Sequence, residues 1–98
     1  MNEHPDTDGI FVASDLMAVG VMAVLTERGL RVPEDVRIVG FDQLGVHNST
    51  RPTLTTVTNP VVAMTKLAGQ ILLEQIATGN RPHEPVIFPT ELFPGDSA

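Results

Sequence analysis

Gly9-Ile-Phe-Val-Ala13 is a short unbroken apolar run, and the same character returns at Val36-Arg-Ile-Val-Gly-Phe41. Runs of this length fit strands of a parallel sheet covered on both faces. Between them the period changes to that of a helix. Ser14 offers an N-cap oxygen and Asp15 places negative charge in the first turn, where it suits the helix dipole. Gly29 stands where a left-handed C-terminal residue belongs, with Leu30 able to fold back on the last turn and Pro33 beyond it. The spacing therefore predicts a helix over 15–28 and a right-handed strand, helix, strand unit. Leu16, Met17, Val19, Val21, Met22, Val24 and Leu25 surround this helix on every side. Packing on a sheet needs one apolar stripe, so the surplus predicts a second buried face, either inside the domain or against another subunit.

After Asp42 the pattern breaks into a polar loop over 42–53 that carries Gly45, Asn48, Ser49 and Pro52, all turn formers. A loop of this length is more often functional than merely connective. Leu54-Thr-Thr-Val57 reads as a short β segment. Asn59-Pro60 then reads as an N-cap followed by the Pro favoured at the first helical position. A helix over 60–78 places Met64, Leu67, Ala68, Ile71, Leu72 and Ile76 on one side and Lys66, Gln70 and Glu74 on the other, the pattern of one-sided packing on a sheet. Gly79 ends it, Asn80-Arg-Pro82 turns the chain, and Pro85-Val-Ile-Phe88 reads as a last β segment. Pro89 and Pro94 keep the residues around them from forming a central strand. The fold class expected is α/β, a partial three-layer parallel sheet.

Composition narrows the function. The 98 residues suffice for one domain and one core. With 42% hydrophobic and 18% charged residues the chain is globular, and four Phe as its only aromatics make the core aliphatic. Twelve acidic against six basic residues give a formal charge of -6 with no basic stripe, so this segment is not expected to touch DNA itself. No Cys is present, which removes disulfides, thiolate zinc sites and cysteine nucleophiles. The polar first eight residues contain no signal-peptide pattern. The apolar stretch over 16–25 falls short of the roughly 20 residues that a membrane span needs. These features lead us to expect a soluble, cytoplasmic protein with no membrane partner.

Asp42 ends a predicted strand, and open α/β sheets bind ligands in the crevice beyond the carboxyl ends of their strands. Ser14 stands at the same end of the other strand. A carboxylate offers acceptors for paired ligand hydroxyls or amines. The alternative is local: Asp42 closing its own loop as an Asx-turn and Ser14 acting only as a helix cap. Catalytic arrangements are weaker. His4, His47 and His83 are scattered without metal-ligand spacing, and a triad of Ser49, His47 and Asp42 lacks any nucleophile elbow. Gly40 and Gly45 do not form a phosphate loop. No cofactor, metal or enzymatic activity is expected.

Three segments in order, Val12-Ala-Ser-Asp-Leu-Met-Ala-Val-Gly20, Arg28-Gly-Leu-Arg-Val-Pro-Glu-Asp-Val-Arg-Ile-Val-Gly-Phe-Asp42 and Arg51-Pro-Thr-Leu-Thr-Thr-Val57, closely resemble the lactose/galactose-type (LacI/GalR) bacterial repressors. Val86-Ile-Phe-Pro-Thr-Glu-Leu92 is similar to the final strands of that family. The resemblance spans nearly the whole chain. It implies the C-terminal part of a periplasmic-binding-protein-like effector domain, without the helix-turn-helix that reads operator DNA in such regulators. It also implies a small-molecule effector, a sugar or nucleobase, and a homodimer. By position, Asp42 matches the ligand-contacting acid of the family, Ser14 the polar residue lining the same pocket, and Asn59 the segment entering the cleft. The helix after Asp15 and the loop after Asp42 correspond to dimer-forming elements, with Val19, Met22 and Thr50 as the expected contacts. Two positions depart from the family pattern: Gln43 replaces a frequent second acid, and Phe93-Pro-Gly-Asp96 replaces an apolar pair followed by Arg. A transport-type sugar-binding protein shares the fold but needs a signal peptide, and a Rossmann-type enzyme needs a Gly-rich fingerprint where this chain has Ala13-Ser-Asp15.

Overall fold

The computed structural model of the chain describes residues 3–42, 45–79 and 84–98. In chain order the elements are β1 (Gly9–Phe11), α1 (Asp15–Glu27), β2 (Arg37–Asp42), a 3-10 turn (Val46–Ser49), β3 (Thr55–Thr58), α2 (Val61–Thr78) and β4 (Glu91–Phe93). The strands form one sheet in the order β1-β2-β3-β4. β1 pairs with β2 and β2 with β3 in parallel, with Phe11 beside Val39 and Asp42 beside Thr58. β4 runs antiparallel to β3, so the wholly parallel sheet expected from the sequence holds for β1 to β3 and gives way at this edge.

The chain divides into two units, one of residues 1–59 and 91–98 and one of residues 60–90. In the first, the core lies between α1 and one face of the sheet. Alternation along β1, β2 and β3 and the residues flanking them directs Ile10, Val12, Val36, Ile38, Leu54 and Thr56 inward. α1 answers with Asp15, Ala18, Met22 and Leu25, one stripe at helical spacing. On this helix Leu16, Met17, Val19 and Val24 stay exposed. The expectation that β1 is covered on both faces is corrected: Phe11 is 64% exposed.

α1 ends as its residues require. Gly29 adopts φ 74°, the Gly29 amide donates to the Thr26 carbonyl and the Leu30 amide to the Leu25 carbonyl, at 3.0 and 2.9 Å. This is the Schellman arrangement, closed by Leu30 packing against the core. In the turn that follows, Arg31 grips Asp35 twice: Nε donates to Oδ2 and Nη2 to Oδ1, both at 3.0 Å. These side-chain bonds, joined by the Arg31 amide, lower the Asp35 carboxyl to about 2. Since this lies below the unfolded carboxylate value of about 3.9, the stabilisation from Asp35 is complete above that value and is lost as pH falls through about 2. Carboxyl NMR titration should place the Asp35 midpoint near 2 in the native chain. Arg31→Ala should return it toward the ordinary range, with little loss of stability, because the pair is solvent-facing.

Ser97 closes the first unit at the amino ends of β2 and β3. Its hydroxyl donates to the Ile38 carbonyl at 2.6 Å and accepts from the Thr55 amide at 2.8 Å. Its main chain accepts from the Ile38 amide at 2.8 Å and donates to the Thr53 carbonyl at 3.1 Å. The side chain is fully buried.

In the second unit, Met64, Leu67, Ala68 and Ile71 of α2 line a depression shared with Val86 and Phe88, on the apolar side expected from the sequence. No residue of α2 is buried. Gly79 caps the helix at φ 75°. Two expectations are corrected here. Residues 85–88 form no strand, since Pro85 and Pro89 withhold ladder donors, and the strand is Glu91–Phe93 instead. Asn59 does not cap α2: Pro60 occupies the cap position, and the Asn59 amide is used elsewhere. The turn expected at 80–82, with His83 and Gln43, lies outside the described residues, as does the side chain of His47.

Candidate functional site

Three parallel strands deliver their carboxyl ends to one edge of the sheet, and each is followed by a residue singled out in the sequence. Ser14 follows β1, Asp42 ends β2 and Asn59 follows β3. The structure brings two of them into direct contact: the Asn59 side-chain amide donates to Asp42 Oδ1 at 3.2 Å. Asp42 is partly buried and reaches this position at φ 103°, the one described non-glycine residue with positive φ. Such a conformation costs on the order of 1–3 kcal/mol for an L-residue and is characteristic of ligand-facing positions.

Ser14 is extended, with φ -151° and ψ 141°, and its hydroxyl accepts from the Met17 amide at 3.4 Å. The capping reading therefore holds for Ser14. It leaves the hydroxyl proton available for donation, since a Ser oxygen accepts and donates at once. Ser49 donates to the Val46 carbonyl of its own turn at 2.7 Å, a local use of its hydroxyl.

Beneath this edge lies a group that the sequence pattern assigns only to the first turn of the helix, as a charge suited to its dipole. Asp15 is only 2% exposed, and its Oδ1 accepts from the Thr56 hydroxyl at 2.6 Å. Gly40, paired with Thr56 across β2 and β3, makes room for it: a Cβ at this position would overlap the Asp15 carboxylate. A glycine inside a predicted strand was the one available signal of such a close approach.

Val19, Met22 and Thr50 are brought together around one surface depression with Ala23, Thr26 and Arg51. Their exposure differs, Val19 at 37% and Met22 and Thr50 at 7% each. Met22 is spent largely on the core, and Thr50 Oγ1 accepts from the Leu54 amide at 2.9 Å. Val19 is the member with surface to offer. Among the described residues no cluster of three or more metal-ligating side chains forms, and no helix is long and apolar enough to cross a membrane.

Comparison with known proteins extends this geometry. The model of the periplasmic binding protein-like domain matches residues 1–98. The MalR transcriptional regulator of Streptomyces coelicolor is 42% identical over 87 residues, which cover 89% of this chain and 25% of that protein. The ribose operon repressor of Halalkalibacterium halodurans is 40% identical over 76 residues, 78% of this chain and 23% of that protein. Among solved structures, a transcriptional regulator CelR–cellobiose complex superposes with a TM-score of 0.92 at 33% identity, covering 99% of this chain and 30% of that one. This chain belongs to the LacI family. It has that family's periplasmic-binding-protein-like α/β fold. A LacI-family regulator of Enterococcus faecalis with bound ribose gives a TM-score of 0.85 at 32% identity, covering 91% of this chain and 33% of that one. The chain thus spans about a quarter of the length of the curated LacI-family relatives it matches.

Proposed function

We propose that the chain is the C-terminal part of the effector-sensing domain of a LacI-family transcriptional regulator, and that its crevice binds a sugar. The observation that carries this reading is Asp42, held at φ 103° at the carboxyl end of β2 with its carboxylate oriented by Asn59. An oriented carboxylate beside an amide suits a pair of sugar hydroxyls, with Ser14 donating a third bond. The ligands named for the similar CelR and Enterococcus structures, cellobiose and ribose, are of this class. The named relatives are regulators of transcription, which favours sensing over transport or catalysis. The sensor acts by differential affinity: sugar contacts stabilise one arrangement of the regulator over another. Val19, with Met22 and Thr50 behind it, belongs to a homodimer contact in this reading. Operator DNA is met through a helix-turn-helix elsewhere in the cytoplasmic regulator.

Asp42→Gly tests the site. The substitution removes the carboxylate and the backbone strain together. Calorimetric titration of the regulator carrying this chain with cellobiose, ribose and D-xylulose should show affinity for at least one. In the variant that affinity should fall about tenfold or more, the worth of a hydrogen bond to a charged group, while the thermal midpoint rises. Unchanged affinity, or absence of binding to every sugar in the unsubstituted regulator, overturns the reading.

A further inference from the structure

A buried carboxylate is costly unless its bonds are specified, and Asp15 is buried at the point where all three crevice residues are anchored. Ser14 is its chain neighbour. Gly40, whose missing Cβ gives it space, precedes Asp42 by two residues in β2. Thr56, which donates to it at 2.6 Å, precedes Asn59 by three residues and lies across the sheet at register with Gly40. Asp15 and Leu54 both border the space left by the missing Cβ of Gly40, and an apolar residue could fill that space as well, so core packing alone does not call for a carboxylate. The start of α1 is thus tied to β3 across β2.

We infer that Asp15 is the positioning residue of the crevice: its carboxylate, seated above Gly40 and held by the Thr56 hydroxyl, keeps the ends of β1, β2 and β3 in the relation that lets Ser14, Asp42 and Asn59 face one ligand. The inference rests on the crevice being the sugar site. Asp15 does not reach the ligand itself. It acts through the Thr56 bond, whose loss loosens the tie between the helix start and β3 and relaxes the Asp42–Asn59 pair.

The test needs no ligand, so its failure is separable from failure of the sugar reading. Side-chain amide signals of Asn59 and the carboxyl carbon signal of Asp42 are recorded by NMR in the full chain and in Thr56→Ser, Thr56→Val and Asp15→Asn. Thr56→Ser keeps the hydroxyl and should leave these signals in place. Thr56→Val removes the donor at nearly constant volume and should shift both signals toward those of solvated side chains. Asp15→Asn keeps a weaker, uncharged acceptor and should shift them in the same direction by less. Loss of stability in Thr56→Val with unmoved Asn59 and Asp42 signals assigns the bond to folding alone and overturns the inference. Signals displaced as far by Thr56→Ser as by Thr56→Val also overturn it. Should Thr56→Val yield no folded chain, unmoved signals in Asp15→Asn are sufficient to overturn it.

Discussion

Gly40→Ala is expected to destabilise the chain by about 3 kcal/mol, at the upper end of overpacking costs. The added methyl would overlap the Asp15 carboxylate and sit 3.0 Å from Leu54 Cδ2. Neither neighbour has room to yield, because Asp15 is pinned by Thr56 and Leu54 is fully buried. Either α1 lifts from the sheet, opening the contacts of Ala18 and Met22, or the carboxylate turns away and the Thr56 hydroxyl loses its acceptor. A urea titration should show a lower midpoint with an unchanged slope. In an Asp15→Ala background the same change should cost distinctly less, the remainder being the Leu54 contact. Fully additive costs would show that the carboxylate is not what the methyl meets.

Ser97→Ala is expected to cost about 2–3 kcal/mol, more than a surface serine allows. The hydroxyl serves two buried main-chain groups at once, the Thr55 amide and the Ile38 carbonyl. Its removal leaves a donor and an acceptor unsatisfied between the amino ends of β2 and β3, where Ile38 and Thr55 are shielded from water. Thr at this position keeps the hydroxyl and should recover part of the loss. Native-state hydrogen exchange gives the direct reading: the Thr55 and Ile38 amides should exchange faster in Ser97→Ala, while the amides of α2 stay unchanged. Equal protection in both proteins would mean that the Ser97 hydroxyl contributes nothing to the join beyond the main-chain bonds that the variant keeps.

Much of this architecture was legible in the residues because it is local. Ser14 before an apolar helical period, and Gly29 followed by Leu30, specify the two ends of α1 within a few residues, and both ends form as read. Asp42 is expected at the carboxyl end of a strand from its position after an apolar run, and it ends β2, which pairs in parallel with β1 and β3. The misreadings have a common origin in neighbours distant along the chain. Asp15 reads only as a first-turn charge for the helix dipole because its partner Thr56 is 41 residues away. Asn59-Pro60 looked like a helix start because nothing local shows that the Asn59 amide turns back to Asp42, 17 residues earlier. Ser97, in a polar tail, gave no sign of its bond to Ile38 at a separation of 59 residues.

What the residues determined by themselves was therefore the strand, helix, strand unit, the two caps of α1, the carboxylate at the strand end and the family, since each depends on spacing within a segment or on a motif. What only the tertiary structure decided was which polar groups are buried and with whom: Asp15 against Gly40 and Thr56, Ser97 between two strands, Asn59 on Asp42. The physical reason is that burying a polar group is favourable only when a specific partner meets it, and that partner becomes identifiable only once the chain has folded.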